Sequence, residues 1–242
     1  MEFPRSGSRL IRKIAIGALY GATLVHAISS EKKEGEVRRY VETNLTTLIR
    51  EQEKKLGIHY PEQLPIIYYH LPEDKKLTLG LYDPETNKIF LQNEQYKFDW
   101  DAEDVYNTLN HELGHYYLDR LSEKLTNNDW PEYTNMTALE KMSVKIVSEG
   151  IATYFERKMN GNEDTFTDEK WPRALGGFFS SWDLTPKNEI VYDGGYHLVK
   201  PIIDQYGEKG IQYLMFNPPK LSEMYSLPLY QQRIIEELSE HE

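Results

Sequence analysis

The chain has 242 residues, 39% of them hydrophobic and 12% aromatic, which is too rich in core formers for a disordered segment and long enough to bury a core. It contains no cysteine, so disulfides, thiolate ligands and a cysteine nucleophile are excluded, and any transition metal must be held by His, Asp or Glu. The net charge of −11, with Lys and Arg scattered along the chain, disfavours nucleic acid as a partner.

In chain order, Arg5, Arg9, Arg12 and Lys13 precede the apolar run Ile14 to Ile28, and Val25-His26-Ala27 supplies small residues for a signal peptidase. This layout predicts a signal peptide or N-terminal membrane anchor over residues 1–30, a secreted or extracytoplasmic location, and any membrane association through residues 9–28. The run falls short of the roughly 20 apolar residues of a spanning helix, and Gly17, Tyr20 and Gly21 interrupt it, so cleavage is favoured over a permanent anchor. From Glu36 to Leu56, Val37, Val41, Leu45, Leu48 and Ile49 recur at helical spacing, with Gly57 as the stop. Leu64 to Leu71 is a β-rich run between prolines, and Lys76 to Gln92 reads as two strands around the turn Asp83 to Asn87.

A second helix opens near Asp99 to Asp101, its apolar stripe running through Val105, Leu109, Leu113, Tyr116 or Tyr117, and Leu121. Thr137-Ala138-Leu139-Glu140 spells a capping box for a third helix, which ends near Met159. The stretch Trp171 to Asp183 looks like a linker, with paired glycines, and a terminal helix is expected around Leu229 to Leu238. Short strands followed by long helices make the fold class α+β.

The second helix carries His111-Glu112-Leu113-Gly114-His115 at its middle. Residues four apart project from one face of a helix, so the two imidazoles can meet at one point in space. Glu112 is offset from His111 by about 100° around the helix, which suits a base beside a metal's open position better than a ligand. A catalytic zinc needs a third protein ligand. Leu118 and Leu121 stand where a metzincin has glycine and histidine, and none of His26, His59, His70, His197 or His241 follows closely on a downstream helix. A carboxylate does. Glu149 sits among Ile146, Val147, Ile151, Ala152, Tyr154 and Phe155 on the third helix, and a buried carboxylate needs a charge partner. Glu140 and Glu156 are its competitors.

His-Glu-Leu-Gly-His, the Ser148-Glu149-Gly150-Ile151-Ala152 segment and a later Tyr-x-x-Gly at Tyr192 together resemble the gluzincin metallopeptidases, the group of thermolysin-like and M1 aminopeptidase-like enzymes. The resemblance runs from about Leu64 to Leu214. It implies a zincin-like fold over 31–242, with an α+β part over about 31–126 carrying the histidine helix and a helical part over 127–242 carrying the glutamate. It also implies one zinc ion held by His111, His115 and Glu149, Glu112 as general base, and a peptide or protein substrate. Asp119 matches an acid found four residues after the second histidine in thermolysin-like enzymes. Two departures stand out. Thr153 occupies the place of the aspartate that often supports the first histidine, and the aminopeptidases' Gly-x-Met-Glu-Asn signature does not occur, which points to an endopeptidase.

The residue stabilising the oxyanion is open between two alignments: Tyr192 on Tyr-x-x-Gly, or His197 on Gly-Gly-x-His. The hairpin Lys76 to Gln92 offers a sheet edge for an extended substrate, with Gly80 permitting close backbone approach. The rival reading is a catalytically inactive module of the same fold that binds metal or a partner at the cell surface. Residues 36–56 could be part of the fold or an inhibitory segment over the cleft.

Overall fold

The computed structural model describes residues 35–61, 63–69, 79–91, 102–126, 136–162, 166–172, 175–176, 189–220 and 222–240. The segment expected to direct export lies outside them, as do Asp99 to Asp101, His26, His70 and His241. Helix α1 spans 35–56, and its apolar stripe, Val37, Val41, Leu48 and Ile49, is buried against the sheet and the following helix. It is therefore a core element of the fold.

Three short strands follow: β1 Ile66–Tyr68, β2 Gly80–Asp83 and β3 Lys88–Leu91, in the order β1-β3-β2. β3 pairs in parallel with β1 and antiparallel with β2, Tyr82 lying opposite Ile89 and Gly80 opposite Leu91. Alternation along the strands puts Gly80, Tyr82, Ile89 and Leu91 on the buried face. The hairpin turn falls where the Asp-Pro signal places it, and Asn87 takes a φ of 53°.

Helix α2 (Ala102–Thr126) is the shared wall of the molecule. Val105, Leu109, Leu113 and Tyr116 face α1 and the sheet, whereas Tyr117, Leu118 and Leu121 belong to the larger helical core. Both tyrosines that competed for the stripe are thus buried, one in each core. Behind the histidines a polar network joins α1 to α2: Gln52 Nε2 donates to Asn110 Oδ1 at 2.7 Å, and the Tyr60 hydroxyl contacts Gln52 and the Leu113 carbonyl.

Helix α3 (Ala138–Asn160) starts at Thr137 with the full capping box to Glu140 and ends at Gly161 in the left-handed conformation. A π-helical turn, Glu189–Gly194, leads into helix α4 (Gly195–Phe216), and helix α5 (Leu227–Ser239) closes the chain. The stretch expected as a linker begins as a core anchor. Trp171 and Leu175 are almost fully buried, and Trp171 Nε1 donates to the Met224 carbonyl at 2.6 Å. Paired glycines suggested flexibility, but two large apolar side chains beside them outweigh that signal. Among the described residues no helix is long and apolar enough to cross a membrane.

What sets α3 in place is backbone contact on two sides. A Cβ at Gly114 would lie 2.8 Å from the Ala152 Cα, and one at Gly150 would lie 2.4 Å from the Gly195 carbonyl. No flexible side chain stands there to yield. Gly150→Ala should therefore destabilise the fold by about 1–3 kcal/mol or more, while Gly35→Ala, which meets nothing within 4 Å, should stay within about 0.5 kcal/mol; urea unfolding of the two variants measures the contrast.

α3 and α4 are also tied at Asp204, which accepts from the Tyr154 hydroxyl at 2.7 Å, from Lys158 at 2.9 Å and from Lys200. Burial alone would raise this carboxyl, but those donors, Lys200 foremost, hold it down to about 2. Its contribution to stability is present above the ordinary aspartate value near 3.8 and is lost as pH falls toward 2. In acid unfolding, wild type should exceed Asp204→Asn in stability above pH ~4, and the gap should close between pH ~4 and ~2.

Candidate metal centre

His111 and His115 lie one turn apart on α2 with ring centroids 5.0 Å from each other. Both turn Nε2 toward the same atom: Glu149 Oε2 is 3.2 Å from His111 Nε2 and 3.3 Å from His115 Nε2. One donor atom from each residue can be chosen so that all three lie within 4.8 Å, and this group can hold a metal ion. Tetrahedral ligands about 2.0–2.1 Å from an ion are about 3.3–3.4 Å apart, close to the two imidazole–carboxylate spacings.

Electrostatics point the same way. Burial would push the Glu149 carboxyl up, yet the two histidines outweigh it and hold it well below the usual range. His111 is the counterpart: burial lowers it, but Glu149 and Glu156, with Glu112 nearby, push it up to about 10. The carboxylates thus draw positive charge into one buried spot, and a metal ion would supply that charge in place of protons.

The remaining nitrogens face outward. His111 Nδ1 is 3.4 Å from Glu156 Oε2, and His115 Nδ1 is 3.3 Å from the Ser148 hydroxyl. Glu140, the other competitor for the third ligand, is taken up by the helix cap. Thr153 is buried, and its hydroxyl has no hydrogen-bond partner among the described residues. Glu156 takes up the contact to the first histidine instead. The signal was in the sequence, since seven residues from Glu149 is within about 20° of two full turns of the same helix.

Glu112 is buried beside the group, where its Oε2 accepts from the Tyr82 backbone N–H at 2.8 Å. Burial raises its carboxyl, His111 and His115 oppose this, and Glu149 adds to it. The space that Gly80 leaves is filled from within: a Cβ there would lie 2.5 Å from Thr108 Cγ2 and 2.8 Å from Glu112 Oε1. The glycine therefore admits the α2 side chains, a different reason from the substrate approach expected of it. Asp119 is buried too, but its partners are the Tyr82 hydroxyl at 2.6 Å and Arg120, so it ties β2 to α2.

Of the two oxyanion candidates, Tyr192 stands at the group. It rides on the π-helical turn with its ring centroid 5.6 Å from that of His111 and is 37% exposed. Burial, then Glu149, Glu112 and Glu156, raise its hydroxyl, which stays protonated and able to donate. His197 is paired elsewhere: its Nε2 is 3.0 Å from Asp168 Oδ1, and its ring packs on Phe166.

With the ligand set distributed over two helices, loss of one imidazole should collapse it. His115→Ala, loaded with zinc and passed through gel filtration, should retain less than about a tenth of the metal that wild type keeps, as read by atomic emission.

No protein-family model, curated protein or solved structure matches the chain.

Proposed function

We propose that the chain is a zinc-dependent peptidase with a zincin-like fold of the gluzincin kind, cutting peptide bonds within a peptide or protein substrate. The observation that carries this reading is the meeting of His111, His115 and Glu149 at one point, with a buried carboxylate that is not a ligand, Glu112, set beside them. A site built only to hold metal has no use for that second carboxylate, which costs free energy to bury. Two imidazoles and one carboxylate favour zinc among the common ions, and three protein ligands leave a position open.

When bound, the ion supplies Lewis-acid polarisation of the scissile carbonyl and activation of water near neutral pH. Glu112 takes the proton of the attacking water through the carboxylate that Tyr82 holds in place, then delivers it to the leaving amine. Its raised affinity for protons suits that double duty. Tyr192 donates its hydroxyl proton in a hydrogen bond to the oxygen on which negative charge develops. Among the described residues β2 is an edge strand of the sheet, lying against Glu112, and an extended substrate would run along it. The Tyr82 N–H is already committed to Glu112, so that strand has one donor fewer to offer.

The decisive measurement is cleavage of a peptide library by zinc-loaded protein with and without a chelator, where chelation should abolish cleavage. Glu112→Gln should keep its zinc and lose about 10²–10⁴ in turnover. Retained turnover in that variant would remove Glu112 from the role of base. Tyr192→Phe should lower turnover by about 10²–10³ and His197→Ala should leave it near wild type; the opposite pattern would assign the oxyanion to His197.

A further inference from the structure

We infer that α3 does more than deliver Glu149: through Glu156 and Ser148 it fixes the ring orientation of both histidines and, through Glu156, the tautomer of His111, making these two side chains positioning residues of the metal centre. An imidazole can present either nitrogen to an ion, and the choice is set by what the other nitrogen binds. Here the outward partners of both rings come from one helix. A carboxylate only accepts, so both His111 nitrogens face acceptors, Glu149 at Nε2 and Glu156 at Nδ1; an ion taking the place of the Nε2 proton would leave the remaining proton on Nδ1, held toward Glu156 Oε2, and the Nε2 lone pair on the ion. Ser148, buried and 3.3 Å from His115 Nδ1, has a hydroxyl oxygen able to accept in the same way.

The arrangement follows from helix geometry and from the close crossing of α2 and α3. Ser148 precedes Glu149, and Glu156 returns to the Glu149 face two turns later. The crossing at Gly114 and Ala152 brings the backbones near enough for a side chain as short as serine to reach an imidazole on the neighbouring helix. Thr153, one turn after Glu149, makes no such contact, so Glu156 is the acid of α3 that meets His111 from outside. The charged acceptor forms the stronger bond and also makes the imidazole a better donor, so Glu156 should matter more than Ser148.

This inference rests on the metal reading of the centre but not on peptidase activity, and its test needs no turnover. Zinc affinity of the full chain, measured by competition with a chromophoric chelator, should fall about 10–100-fold in Glu156→Ala and by less in Ser148→Ala. Glu156→Gln, whose amide oxygen still accepts, should recover part of the loss. In zinc-loaded wild type and Glu156→Gln, the His111 Nδ1–H should appear as a slowly exchanging imidazole proton in the NMR spectrum, and in Glu156→Ala it should vanish. Thermal unfolding of the metal-free proteins separates positioning from scaffolding, because positioning leaves it unchanged. The inference is overturned if Glu156→Ala binds zinc as tightly as wild type, or if its metal-free form is destabilised in proportion to the lost affinity. A wild type that takes up no zinc would overturn the metal reading with it.

Discussion

Glu149 carries its carboxylate into a place that water barely reaches, and an ionised group left alone there would cost several kcal/mol. The protein meets that constraint with two imidazole nitrogens from a different helix, each within 3.3 Å of the same oxygen. Everything else in the core can be read as what it takes to hold that oxygen between those nitrogens. The histidines need one face of α2, the glutamate needs α3 at the right height, and the two helices must approach until only glycine and alanine fit between them.

That approach explains why α2 belongs to two cores. One side of it is packed by α1 and the sheet, the other by α3 within the larger helical core, and the histidines emerge along the seam. A helix buried on both flanks has little freedom to roll, which is the property needed of an element presenting two ligands. α3 is fixed in turn between α2 and α4 by the contacts at Gly114 and at Gly150 with Gly195. The π-helical turn that carries Tyr192 sits immediately before Gly195, so the tyrosine is delivered to the group by the same contact that seats α3. Extra-wide turns of this kind are common near functional sites, where they re-aim a side chain that a regular helix would point elsewhere.

Much of this was legible in the residues alone. The spacing of His111 and His115, the apolar surroundings of Glu149 and the capping box at Thr137 are local signals, and each produced the element or contact it specified. What the residues do not spell out depends on pairs of distant segments. Nothing local to Glu156 distinguishes it from a solvated glutamate, because its role exists only once α3 lies against α2. Gly80 was marked as a place of close approach, yet the partner turned out to be Thr108 and Glu112. Trp171 opens a stretch whose paired glycines, five residues on, spell a linker, since sequence shows composition and not the cavity a large side chain will fill. Asp119 matched a motif position, but the residue it serves, Tyr82, lies on a strand whose placement no motif encodes.

Tyr82 is gripped at both ends by one helix: its amide hydrogen by Glu112, and its phenol by Asp119 two turns further along. A strand shifted by one residue would turn this side chain to the opposite face of the sheet and break both grips together. The hairpin and α2 are therefore phased against each other like meshed gears, with the tooth on the strand and the two notches on the helix. The spacing of two acids along α2 acts as a ruler for the sheet, and the strand beside Glu112 can keep only the one alignment that the ruler allows.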